Sequence, residues 1–153
     1  DKGIVYAASF SGRLVALDER AGARIWEKQI GSSNTPWVAG ERLFVLSTEN
    51  ELVSLDRKTG SILWVQQLPR FEDPDDKDGP IFWVGPTMAS GQLILVSSQG
   101  RVMHVNPVNG QLVREWRVRE PVQIPVVVAG ETLYMLSERG TLYAFKSTQQ
   151  DQE

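Results

Sequence analysis

Residues 12–26 read GRLVALDERAGARIW, and the fold turns on that stretch. Leu14, Ala16 and Asp18 alternate with Val15 and Leu17, the period-2 pattern of a strand with two distinct faces. Asp18-x-x-Ala-Gly22 then reads as a hairpin turn. Its Asp side chain can accept from a backbone N–H two residues on, and its Gly supplies the positive φ that closes the loop. A second strand follows and ends at Trp26. The unit recurs as NELVSLDRKTGSILW from Asn50, GRVMHVNPVNGQLVREW from Gly100 and a shortened GTLYAFK from Gly140, with starts 38, 50 and 40 residues apart. Asp56-x-x-Thr-Gly60 repeats the turn, and Asn106-Pro-Val-Asn-Gly110 does so with Asn as opener.

Working outward, a strand precedes each unit by seven residues: VYAAS at Val5, LFVLS at Leu43, LILVS at Leu93 and LYMLS at Leu133. A further element, Pro followed closely by Gly, recurs as Pro36…Gly40, Pro86…Gly91 and Pro125…Gly130. Each repeat is therefore four short strands joined by turns, with nothing helical in it. Such a sheet cannot bury both faces alone, and repeats of this period solve the problem by stacking radially as propeller blades. The expected fold is all-β: a partial β-propeller of four-stranded antiparallel blades over residues 1–146. It divides into an incomplete blade 1–30, blades 34–68 and 83–118, and a last blade 122–146 lacking its outer strand, followed by a disordered tail 147–153. Strands are expected near 4–9, 13–18, 24–30, 34–39, 43–48, 52–56, 62–68, 83–88, 93–98, 102–106, 111–118, 122–128, 133–137 and 142–146.

Composition narrows the classes. A net charge of −3 with scattered basic residues argues against wholesale nucleic-acid binding. The absence of cysteine removes disulfides and thiolate metal sites. No stretch approaches the ~20 apolar residues that span a bilayer. The chain opens inside a strand pattern without a methionine, so it reads as a fragment whose targeting signal lies upstream.

The signature A-L-D-x-x-(A/T)-G-x-x-(I/L)-W, at residues 16–26 and, with Ser54 at its first position, 54–64, resembles the tryptophan-docking repeat of quinoprotein-like propellers. Residues 11–26 with 38–56, and residues 68–86 with 91–102, sharpen the resemblance to the BamB family of outer-membrane assembly scaffolds, of α-proteobacterial type and in its C-terminal part. That resemblance implies a ring of eight blades, of which this piece supplies about 3.5. It implies tryptophans on outermost strands that pack on the neighbouring blade, a position matched by Trp26 and Trp64. In the third unit Arg114 falls there instead and Trp116 follows two residues later, on the same strand face. It also implies no catalysis and no cofactor. The partners implied are the POTRA domains of BamA, other assembly subunits and unfolded outer-membrane proteins. The implied location is the periplasmic face of the outer membrane, held by a lipid anchor outside this fragment. The rival reading is a ligand- or quinone-binding propeller, either a sensor domain or a dehydrogenase using pyrroloquinoline quinone and calcium.

The repeat residues Asp18, Gly22, Trp26, Asp56, Gly60, Trp64, Gly110 and Trp116 are read as structural. The candidate partner site is a loop of roughly a dozen inserted residues, since Trp64 to Pro86 spans 22 residues where Trp26 to Pro36 spans 10. Its members are Arg70, Phe71, Glu72, Asp73, Asp75, Asp76, Asp78 and Trp83. The acids allow a calcium reading, but Lys77 and the early Gly79 spoil the usual loop spacing, and a solvated excursion remains open. His104, the one histidine, has neither cysteine nor a second histidine to build a zinc site and reads as structural or channel-lining.

Overall fold

The computed structural model describes residues 2–146, and among them there is no helix. The expected tail 147–153 lies outside the described residues. Strands β1 (Ile4–Ser9), β2 (Arg13–Asp18) and β3 (Arg24–Lys28) form a three-stranded sheet. A four-stranded sheet follows from β4 (Trp37–Ala39), β5 (Arg42–Leu46), β6 (Glu51–Asp56) and β7 (Ile62–Gln67). A two-stranded hairpin, β8 (Phe71–Asp73) and β9 (Asp78–Pro80), comes next. The third sheet holds β10 (Trp83–Ala89), β11 (Gln92–Ser97), β12 (Arg101–Val105) and β13 (Leu112–Arg117). The last holds β14 (Val127–Ala129), β15 (Thr132–Leu136) and β16 (Leu142–Lys146). All pairings are antiparallel between sequence neighbours.

Two first strands are shorter than expected. Over 34–39 only Trp37–Ala39 is strand, because Ser32 Oγ donates to the Leu46 carbonyl and accepts from the Asn34 N–H, holding the chain in a bend before Pro36. Over 122–128 only the end is strand, β14 starting two residues after Pro125, which has no N–H to donate. The inserted loop, for which no strand is expected between 68 and 83, contains the β8–β9 hairpin.

Alternation builds the core. In β5 and β6, Leu43, Val45, Val53 and Leu55 face the first sheet, where they meet Leu14, Ala16 and Trp26. Phe44, Leu46 and Leu52 face the other way, onto Leu93, Leu95, Met103 and Val105 of the third sheet. Ile94, Val96 and Val102 then cover Met135 of the last sheet, with Leu133, Tyr143 and Phe145 packed beside it. Each sheet thus buries its front against the rear of the next. Strands covered on both faces read as near-continuous apolar runs, as in LFVL and LILV.

A tryptophan locks the first two junctions. Trp26 Nε1 donates to the Arg57 carbonyl (3.0 Å) and Trp64 Nε1 to the Pro107 carbonyl (3.1 Å), both in the turn of the following sheet. Each indole lies on a turn glycine: a Cβ on Gly60 would stand 2.8 Å from Trp26, and one on Gly110 2.8 Å from Trp64. Within each sheet the residue opposite the tryptophan is small. Tyr6, Ala16 and Trp26 align across β1–β3, as Phe44, Ser54 and Trp64 do across β5–β7, so two large rings close over one short side chain. Ser54 Oγ is fully buried and has no hydrogen-bond partner among the described residues. Removing such a hydroxyl costs little or stabilises. Ser54→Ala is expected to leave stability unchanged or raise it by about 1 kcal/mol, read by denaturant unfolding.

Candidate functional site

Antiparallel zigzag sends the chain's turns to two opposite rims. One carries the Asp-opened turns; there Asp56 accepts from the N–H groups of Lys58 (2.9 Å) and Thr59 (2.8 Å), which, Thr59 first, hold its carboxyl below the usual range. Asp18 caps its turn in the same way through Arg20 and Ala21. The other rim carries the turns at Gly12, Asn50, Gly100 and Gly140, and from it rises the β8–β9 hairpin.

The base of this hairpin is clamped. Ile81 N donates to the Arg70 carbonyl (2.8 Å), and Asn50 Nδ2 donates to the Ile81 carbonyl (2.8 Å). Arg70 pairs with Glu49 at 2.9 Å, both side chains exposed. Leu68 and Ile81 lie in the core beneath. The tip is acidic and open to solvent: Glu72, Asp73, Asp75, Asp76 and Asp78 are all exposed, and Phe71 is half-buried. Asp73 spends its carboxylate inside the turn, accepting from the N–H groups of Asp75 (3.1 Å) and Asp76 (3.3 Å). Among the described residues, no three His, Cys, Asp or Glu side chains gather as a metal site. Exposed ion pairs of the Arg70–Glu49 kind contribute little to stability.

Trp83 does not join that surface. It was expected among the partner contacts, but it is 4% exposed, its Nε1 donates to the Pro69 carbonyl (2.8 Å), and Arg101 lies over its ring at 5.5 Å. An aromatic opening a central-sheet strand is drawn into the core, so Trp83 anchors the hairpin rather than presenting itself. The exposed aromatic is its neighbour Phe82, at 64%. Glu49, Asn50 and Arg101 were missed as supports. Asn50 was visible as a turn residue, here with φ 59°, but its reach to Ile81 is a tertiary contact that local pattern does not encode.

The third junction departs from the first two. His104 occupies the place of Ala16 and Ser54, with Arg114 opposite. Trp116 packs edge-on against Phe145 of the last sheet (4.7 Å), but its Nε1 turns back to His104 Nε2 (3.0 Å) within its own sheet. An indole N–H only donates, so Nε2 accepts and Nδ1 carries the proton toward Gln92 Oε1 (3.0 Å). Burial first, and the Arg114 charge second, hold His104 below the usual histidine range. Both favour the neutral ring in the folded state, so the unfolded chain takes up the proton first. Stability from this site is complete above pH 6.5 and declines as pH falls below it, levelling once the folded ring also protonates. Melting temperature is expected to fall between neutral pH and pH 5.5, and His104→Ala is expected to flatten that slope. Loss of the lowered Glu115 and Glu120 carboxylates begins only below about 4.5, their usual value, which separates the two effects.

Comparison with known proteins follows this geometry. A family described as outer membrane protein assembly factor BamB matches residues 1–66. The BamB of Alkalilimnicola ehrlichii is 30% identical over 95% of this chain, which spans 36% of that relative's length. The crystal structure of BamB from Moraxella catarrhalis superposes with a TM-score of 0.77 at 20% identity, over 96% of this chain and 41% of that one. Quinohemoprotein alcohol dehydrogenase from Comamonas testosteroni matches at 0.60 and 21% identity, over 75% of this chain and 19% of that one. The last two likenesses establish the propeller fold.

Proposed function

We propose that this chain, similar to the BamB-type, quinoprotein-like β-propellers, is a non-catalytic scaffold in outer-membrane protein assembly. The observation that carries the reading is a rigid stack of sheets holding an acidic hairpin clear of one rim on a clamped base. The partners are the POTRA domains of BamA and neighbouring assembly subunits, with unfolded outer-membrane proteins as clients. The place of action is the periplasmic face of the outer membrane, with the lipid anchor outside these residues. Within this scaffold, Arg70, Phe71, Glu72, Asp73, Asp75, Asp76 and Asp78 form the contact and Trp83 fixes it in place.

A test replaces residues 72–79 with a short Gly-Ser linker and measures affinity for the POTRA domains. The tip is exposed, so the fold survives. Binding is expected to weaken about tenfold or more, chiefly through a slower on-rate that shows less dependence on salt. Unchanged affinity removes the hairpin from the contact.

The likeness to a quinohemoprotein favours one second reading, a quinone-binding propeller. It requires calcium, and the described residues bring no set of carboxylates together to hold it. Redox absorbance appearing with pyrroloquinoline quinone and calcium would carry that reading instead.

A further inference from the structure

A cleft of about 510 Å³ lies between the third and last sheets, at the junction where the repeat breaks its own pattern. At the first two junctions the corresponding position holds Trp26 and Trp64, each seated on a turn of the next sheet. Here that position holds Arg114, and the small residue beneath has become His104. A packing pair has been replaced by a guanidinium and an imidazole. The displaced ring, Trp116, is drawn aside by its bond to His104, so it walls the cleft instead of filling it.

The chemistry of the lining is mixed in a particular way. Arg114 and Lys146 are exposed cations on opposite sheets, and Glu131 is the anion on the rim. Arg114 lies over Trp116 at 6.0 Å, and no carboxylate pairs with it among the described residues. A guanidinium stacked on a ring keeps its N–H fork free for a carboxylate. Trp116 and Phe145, meeting edge-on, offer an apolar wall to a flat group. The volume falls in the range of small-ligand pockets.

We propose that this cleft binds a carboxylate attached to an aromatic or similarly flat apolar body. The carboxylate sits on Arg114 and Lys146, and the ring lies against Trp116 and Phe145. His104 holds Trp116 in place and is a positioning residue, touching the ligand only through that indole. The site is independent of the hairpin on the other rim.

The test titrates hydrocinnamate, and separately its uncharged amide, into the intact nitrogen-labelled protein while following the Trp116 indole signal, assigned with Trp116→Phe. The acid is expected to shift that signal and to bind about tenfold more tightly than the amide. Arg114→Gln is expected to erase the difference. The pair His104→Ser with Arg114→Trp, which restores the residues of the second sheet, is expected to fill the cleft and abolish binding. The proposal is overturned by a silent Trp116 signal at millimolar acid, by equal affinity for acid and amide, or by an unchanged preference in Arg114→Gln. Should the double variant not fold, Arg114→Gln alone decides.

Discussion

Trp26→Ala is expected to lower the stability of the chain by about 3–5 kcal/mol, a large part of what a domain usually has. The side chain is 9% exposed and sits between its own sheet and the next. Truncation empties the volume under Tyr6 and over Gly60, and neither neighbour can collapse into it, since both are held by backbone pairing. It also withdraws the donor from the Arg57 carbonyl, leaving Tyr6 Oη, at 3.0 Å, as the donor that remains. Trp116→Ala should cost less than half as much. That indole is only half-buried, and its bond goes to a side chain of its own sheet. Urea unfolding of the two variants side by side gives the comparison, and equal losses would mean that docking into the next turn contributes nothing.

Glycine substitutions separate backbone strain from contact. Gly22 and Gly60 close equivalent turns with φ of +65° and +70°. Around Gly22 nothing lies within 4 Å of where a Cβ would be, whereas at Gly60 that atom would strike the Trp26 indole at 2.8 Å. Gly22→Ala is expected to cost about 1–2 kcal/mol from the left-handed backbone alone. Gly60→Ala adds the expulsion of the indole from its seat, for a total of about 3–5 kcal/mol by the overpacking and lost burial together. A shift of the Trp26 emission toward that of a solvent-exposed indole in Gly60→Ala, but not in Gly22→Ala, would locate the extra loss.

The repeat was legible because it is written in local terms. Period-2 alternation sets two faces, Asp or Asn with Gly sets the turns, and the fixed step from turn glycine to tryptophan places the ring. Residues 12–26 and 50–64 therefore predict both the sheets and the docking. Trp116, two residues out of step, was correctly expected on the same face, yet the direction of its N–H depended on His104, whose identity mattered only through a tertiary bond. The β8–β9 hairpin escaped notice because its turn, Pro74 to Lys77, has little strand propensity around it, and its pairing rests on the clamp at Ile81 and Asn50. Trp83 is expected both among the partner contacts and, with Phe71 and Phe82, as an anchor of the loop's ends; its burial suits the anchor, whereas Phe82 stands 64% exposed, a difference set by which strand face the covering sheet takes up.

Hydrogen exchange of the five indole N–H groups tests the sheet-to-sheet docking most directly. Trp26 and Trp64, bonded to backbone carbonyls of the following sheet, should exchange only on opening of that junction and lag Trp37, which has no indole partner among the described residues, by about a hundredfold or more. All five exchanging at the rate of a free indole would contradict the account, because the sheets would then not be joined through their tryptophans.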